Sequence, residues 1–250
     1  MLPENVSPNG AVIHEVTGSD SPLLETACNL FKTIFSSEER YLPYLRACAL
    51  GQNRSHPNTY DHVWLMQQNH EWVGIRIFSY ITTRNFGHGA YIGLTPDFRG
   101  HGVGTWLVQQ TLAQLDKDAQ KFGRDGSLGY LVEVERPMDA DNEEQREYRR
   151  KRIKFHRQCG GIILPVSYTE PVMIEGVHYL DPADLQGEEP RPMHLVLIPS
   201  KLGASLAHLD LVDFVYGTYV DVYRLRPDHE FIRKSLSFLE EIVYDRNDQA

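Results

Sequence analysis

The stretch Leu94-Thr95-Pro96-Asp97-Phe98-Arg99-Gly100-His101-Gly102-Val103-Gly104-Thr105-Trp106-Leu107 holds the residues best suited to chemistry. Three glycines at alternate positions stand between a strand-like run and the start of a helical one. Glycine lets a backbone turn sharply and approach a ligand without a Cβ in the way. The first N–H groups of the following helix have no intrahelical partner, and the helix dipole adds partial positive charge there. Such an end favours a phosphate or pyrophosphate. Two other phosphate loops fail on spacing. No Gly-Lys-Ser/Thr triplet occurs, and counting G-x-G-x-x-G from Gly100 or Gly102 puts Thr105 or Leu107 where the third glycine belongs. The plain alternative is a glycine turn that serves only strand-to-helix geometry.

The elements around this loop are legible from periodicity. Leu24, Ala27, Leu30, Phe31 and Ile34 predict a helix over 23–35, opened by Ser21-Pro22. A second helix is expected over 38–50, stopped by Gly51. His62–Gln68 and Trp72–Thr82 are β-rich runs joined by Asn69-His70-Glu71, an antiparallel hairpin. Ala90–Thr95 reads as a third strand, after a glycine-spaced Phe86-Gly87-His88-Gly89 loop. Val103–Phe122 carries the helix period, 128–134 is a strand, and 143–158 a charged helix. Two more strands are expected near 161–168 and 193–199, and a short one at 11–16. Strands in a run followed by alternating units predict an α/β (α+β) chain, with a mixed, mostly antiparallel central sheet flanked by helices.

The tail has a different character. Leu209, Val212, Val215, Tyr216, Tyr219 and Tyr223 form one helical stripe, and Ile232, Ser235, Leu239 and Ile242 a second. The expected division is a domain over 1–203 and a helical C-terminal extension over 204–250. That extension packs on the core or forms a homodimer contact.

Composition excludes several classes. Thirty-four acids against 25 Lys and Arg give a net charge of −9, so a nucleic-acid partner is not expected. Apolar runs are too short to cross a bilayer and no signal peptide is visible. Three cysteines at wide spacing argue against a disulfide framework and fit a cytoplasmic location. Metal-ligand spacing is missing: no Cys-x-x-Cys occurs, and His70-Glu71 lacks a second histidine. The basic run Arg146–Arg157 follows acids at Glu143, Glu144 and Glu147, an order that suits the helix dipole and reads as a solvated face.

The arrangement Arg99-x-x-Gly102-x-Gly104, preceded by Leu94-x-Pro96 and followed by a leucine-bearing helix, resembles the coenzyme-A signature of the GNAT N-acetyltransferase superfamily. Arg152-Ile-Lys-Phe155-His156-Arg-Gln-Cys-Gly160-Gly161 is similar to that family's Phe-Tyr-x-x-x-Gly-Phe segment. The order of elements over roughly 20–200 agrees with it as well. The resemblance implies a GNAT-like fold and acetyl transfer from acetyl-CoA to a primary amine of a small molecule, by direct attack in a ternary complex, with no metal. It implies a pyrophosphate cradle from Arg99, Gly100, His101, Gly102, Val103, Gly104 and Thr105. The pantetheine arm would lie along Ile92, Gly93 and Leu94, with Phe155 also at the coenzyme. The strands 90–95 and 128–134 would splay apart into a slot.

Departures from the family pattern mark the catalytic residues. The position of the family's proton-donating tyrosine matches His156, whose ordinary pKa near 6.5 suits a thiolate less well than a phenol. That residue is either the acid or a packed histidine. A base is needed because an ammonium must lose a proton before it attacks. Eleven positions before Arg99, where many relatives have a glutamate, stands His88. It is a base, the anchor of a water, or a surface histidine, and Glu133 is the alternative base. Insertions at 136–147 and 168–192 are expected to select the acceptor. Two other readings remain open: a GNAT-fold CoA-binding or regulatory module without turnover, and an unrelated nucleotide binder.

Overall fold

The computed structural model describes residues 6–7, 9–18, 22–51, 58–171, 173–174, 178–179, 190–205 and 211–237. Its centre is the hairpin of β2 (Thr59–Gln68) and β3 (Glu71–Ile81). Gln68 pairs with Glu71, so only Asn69 and His70 turn the chain, with φ of 51° and 67°. Two successive left-handed residues match the twist of the strands they join, and asparagine tolerates that conformation well. Both faces of these strands are apolar. Trp64, Met66, Phe78 and Tyr80 enter one core, while Val63, Leu65, Ile75 and Ile77 enter another.

Eight strands form one sheet. Its order is β1 (Val12–Glu15), β2, β3, β4 (Phe86–Leu94), β5 (Gly129–Glu135), β10 (Arg191–Pro199), β6 (Ile162–Ile163), and β7 (Tyr168–Glu170) also pairs with β10. The short strands β8 (Met173–Ile174) and β9 (His178–Tyr179) pair with each other. Every junction of the large sheet is antiparallel except β4–β5, whose parallel pairing is confined to Gly87 with Tyr130 and His88 with Leu131. The crossover between those two strands is α3 (Val103–Lys121), as a parallel connection requires.

Helices cover both faces. α3 and α4 (Glu143–Gln158) pack on Val132, Val134, Val196 and Ile198. On the opposite face, α1 (Leu23–Ile34) and α2 (Leu42–Ala49) cover β2 and β3. Beside them, the tail covers β5 and β10: Phe214, Val215, Tyr219, Val222 and Phe231 are buried on Leu131, Leu195 and Leu197. Each such side chain contributes about 1.5–3 kcal/mol by leaving water.

Several elements differ from expectation. The helix over 38–50 is split into a 3-10 turn, Ser36–Tyr41, and α2, with non-helical backbone at Glu38. Pro43 has no N–H to continue the ladder backwards. The run near 161–168 divides into β6 and β7, with Pro165 between them. β4 starts four residues before the expected Ala90, so His88 lies on a strand and not in a loop. In the tail, α6 (Leu211–Tyr216) continues as a π-helix, Gly217–Val222. Glycine is needed there because a Cβ on Gly217 would lie 2.3 Å from the Phe86 ring. A final helix starts at 230 and is described to 237. Leu209, Leu239 and Ile242 lie outside the described residues.

Two polar clusters lock the layers together. His62, 3% exposed, bonds Glu15 through Nδ1 at 2.5 Å and Asp118 through Nε2 at 2.8 Å, joining β1, β2 and α3. Burial opposes its charge, but the hydrogen bonds that the protonated ring donates to Asp118 and then Glu15 outweigh burial and raise its pKa to about 9. Arg84, in the β3–β4 turn, pairs with Asp213 and with Asp221 (2.8 Å) of the tail.

Candidate active site

The β4–β5 junction explains the site. Register slips by one residue between Ile77 and Ser79 of β3, which pair with Tyr91 and His88, so β4 bulges at Gly89-Ala90. A bulge bends its strand, and past His88 and Leu131 the edges of β4 and β5 part. The gap opens into a cavity of about 450 Å³ lined by both strands, the end of α1, α4, β7 and the tail.

One fully buried guanidinium lies beneath the β4 bulge. Arg76 of β3 is 0% exposed. Its Nη1 donates to the carbonyl of Tyr91 at 3.2 Å and its Nε to Thr111 at 3.2 Å, while Nη2 has no partner. Tyr130 and Phe78 lie 4.9 and 5.4 Å from its carbon. A Cβ on Gly89 would meet Nη2 at 2.7 Å, so only glycine fits above it. Among the described residues it has no carboxylate partner, and burial holds its pKa below the usual arginine value.

At the apex of the gap, His88 Nε2 lies 3.2 Å from Glu133 Oε2. Glu133 Oε1 accepts from Tyr223 at 2.7 Å and from Tyr168. Burial works against the charge of Glu133, but His88, Tyr168 and Tyr223 outweigh it and hold the carboxyl below its ordinary range. An ionised carboxylate only accepts hydrogen bonds. In a neutral His88 the hydrogen therefore sits on Nε2 and the lone pair on Nδ1, and Nδ1 has no partner.

His156 lines the same cavity from α4. Burial, reinforced by Arg152 and Arg76, pushes its pKa down to about 4. Arg152 and Arg149 reach Glu135 at 2.7 and 3.3 Å. On the other side, Glu170 of β7 holds Arg191 at 2.7 Å. Burial and then Glu133 push Glu170 up to about 7, against the pull of Arg191.

The glycine loop lies at the open end of β4. Gly100 and Gly102 have φ of 84° and 79°, with open space where a Cβ would project. Gly102 caps α3 without a side-chain bond, and the first backbone bond back to it comes from Trp106. The N–H groups of Val103, Gly104 and Thr105 therefore have no intrahelical acceptor. Arg99 Nε is turned back onto the carbonyl of Leu94 at 3.0 Å, and the carbonyl of His101 accepts from Asn9 at 2.6 Å. A Cβ on Gly104 would lie 3.2 Å from Phe155. Of the positions expected along the pantetheine arm, Ile92 lines the cavity, whereas a Cβ on Gly93 would run into Ile34 and Phe35 at the end of α1. The structure thus gathers His88, Glu133 and His156 round one cavity and leaves the loop as a separate, adjoining surface.

The family model described as Acetyltransferase (GNAT) family matches residues 24–126. Over that segment the chain resembles the GNAT acetyltransferases. The matched segment runs from α1 through α3, so Glu133, His156, Tyr168 and Tyr223 all lie beyond it. A GNAT-family protein from Bacteroides thetaiotaomicron superposes with a TM-score of 0.50 at 19% identity, over 84% of this chain and 98% of that one. At that identity the likeness is one of fold. A GNAT family acetyltransferase from Elizabethkingia anophelis with acetyl-CoA bound gives 0.43 at 14% identity, over 78% and 100% of the two chains. The ribosomal-protein-S18-alanine N-acetyltransferase of Escherichia coli gives 0.43 at 13%, over 79% and 99%. No curated protein matches the sequence.

Sequence reasoning did not reach Tyr168, Tyr223, Glu170, Arg191 or Arg76. The one available signal was Tyr223 itself, since a tyrosine on a buried stripe needs a partner for its hydroxyl. Among the described residues no cluster of His, Cys, Asp and Glu could hold a metal, and no helix is long and apolar enough to cross a membrane.

Proposed function

We propose that the protein transfers an acetyl group from acetyl-CoA to a primary amine of a small molecule, within a ternary complex. The observation that carries this reading is the parting of β4 from β5, with free helix N–H groups at its mouth and the His88–Glu133 pair at its apex. The N-terminus of α3 suits the pyrophosphate, because Gly100 and Gly102 keep side chains out of its approach. The unpaired edge of β4 from Ile92 to Leu94 suits the pantetheine amides, and Phe155 packs beside the loop.

In the reaction, His88 Nδ1 takes a proton from the substrate ammonium, directly or through one water, and Glu133 stabilises the imidazolium that results. The amine lone pair then forms the C–N bond at the thioester carbonyl, and collapse of the tetrahedral adduct breaks the C–S bond. The adduct nitrogen must shed a second proton to become an amide, and that proton passes to the departing thiolate, so the amide and free coenzyme A leave and the proton held by His88 returns to solvent. His156 is held neutral, so it serves the departing sulfur as a hydrogen-bond donor rather than as a strong acid. That same neutrality favours the second reading, a coenzyme-A-binding module without turnover. The net charge of −9 suits a cytoplasmic enzyme, and the C-terminal helices are the proposed contact for any homodimer.

Calorimetric titration with acetyl-CoA tests the reading, using wild type and Gly102→Val, with ATP and NAD as controls. Binding that is lost in the variant and not shared by the controls supports the cradle. Binding without acetylation of any amine favours the second reading, and a folded wild type that binds no acetyl-CoA sinks both.

A further inference from the structure

The cavity is lined by four carboxylates, Glu38, Glu133, Glu135 and Glu170, against three guanidiniums, Arg149, Arg152 and Arg191. Arg149 and Arg152 are both paired with Glu135, which leaves Arg191 as the one lining guanidinium for Glu38, Glu133 and Glu170. That cation is already engaged, since its Nε and Nη2 both donate to Glu170 Oε2, at 3.0 and 2.7 Å. Glu38 stands at the kink between α1 and α2, and its described hydrogen bond comes from Ser37 at 3.3 Å. Tyr41 and Tyr91 line the same cavity as these carboxylates.

The walls between these carboxylates are aromatic. Tyr91 packs against Phe35 and Tyr41, with ring centroids 5.2 and 6.3 Å away. Aromatic faces beside carboxylates attract organic cations and give an anionic group nothing to bind. His88 adds an independent pointer to a ligand, for it is 3% exposed, lines the cavity and leaves Nδ1 without a partner. It needs one amine. Glu170 is already paired with Arg191, so the charge left over at Glu38 needs another.

We infer that the acceptor is a diamine or longer polyamine, with one nitrogen at His88 and Glu133 and a second, still protonated, held between Glu38 and Glu170 against Tyr41 and Tyr91. This rests on the acetyl-transfer reading of the same cavity and narrows it to one substrate class. An amino acid is disfavoured, since its carboxylate would face Glu38 and Glu170 while Arg191 is occupied.

Three acceptors of matched length separate the classes: 1,5-diaminopentane, pentylamine and 5-aminopentanoate. Each is titrated calorimetrically into protein loaded with coenzyme A, and each is assayed for acetyl transfer from acetyl-CoA. The diamine is expected to bind at least tenfold tighter than pentylamine, with 5-aminopentanoate weakest. Glu38→Gln, a change at a partly exposed position, is expected to abolish that tenfold advantage. Equal or reversed binding, or an advantage that survives Glu38→Gln in a folded variant, overturns the inference. Diamine binding with the expected preference but no transfer overturns the transfer reading, and with it the diamine's role as acceptor, and keeps only the diamine-binding site.

Discussion

Tyr223 donates its hydroxyl to Oε1 of Glu133 at 2.7 Å, across 90 residues of sequence. A segment that reads as an appended helix thus supplies one of the groups that keep the central carboxylate ionised. Its neighbours Phe214, Val215 and Tyr219 complete the core on that face.

Tyr223→Phe should therefore act on charge more than on shape. A hydrogen bond to a buried charge contributes about 2 kcal/mol, and its loss should appear in urea denaturation at pH 7. Because the folded pKa of Glu133 lies below its ordinary value, this stabilisation is present at neutral pH and lost as pH falls. The gap between variant and wild type should close below about pH 4. A gap independent of pH would show that only packing was lost.

The His62 cluster predicts the opposite slope. Its folded pKa is raised to about 9, so its stabilisation is complete below the unfolded value near 6.5. That stabilisation is lost as pH rises through about 9. Stability should decline by up to about 3 kcal/mol across that window, and His62→Gln should flatten the decline. Denaturation curves from pH 6 to 10 measure it.

Two glycines of the loop should respond with opposite signs. Gly102 is left-handed, so Gly102→Ala should cost about 1 kcal/mol of stability although nothing lies near its Cβ. Gly104 is inside α3, where alanine is favoured over glycine by about 1 kcal/mol, and its Cβ would only nudge Phe155. Gly104→Ala should therefore leave the melting temperature unchanged or higher. Both should weaken acetyl-CoA binding, which calorimetry would show.

Arg76 offers a separation of stability from function. A buried guanidinium without a carboxylate is costly, and an apolar residue of similar length is often better tolerated. Arg76→Met should melt at the same temperature or above wild type. It should bind acetyl-CoA at least tenfold more weakly, because the carbonyl of Tyr91 loses the donor that fixes the edge of β4. A large fall in melting temperature would contradict this account.

What the sequence disclosed follows from range. Asn69-His70 and the 143–158 helix are local features, and both stand where periodicity puts them. The glycine loop is legible for the same reason. His88 was misplaced into a loop because Gly87 and Gly89 flank it. In the sheet, Leu115 and the Arg76 guanidinium occupy the space those glycines leave. The pairing of His88 with Glu133 depends on a parallel register at two residue pairs, and the contribution of Tyr223 depends on where the tail lands. No spacing in the chain encodes either one.

The tail's place beside Glu133 has a consequence for how the protein is made. During synthesis the sheet's strands and both α3 and α4 leave the ribosome well before residue 223. Until Tyr223 follows, Glu133 lacks one of its donors and the apolar face of β5 and β10 lies bare. A ribosome that stalls before residue 211 would release a chain with its glycine loop intact and without the tail residues that line the cavity and cover β5 and β10. Such a product would expose that apolar face to chaperones and proteases.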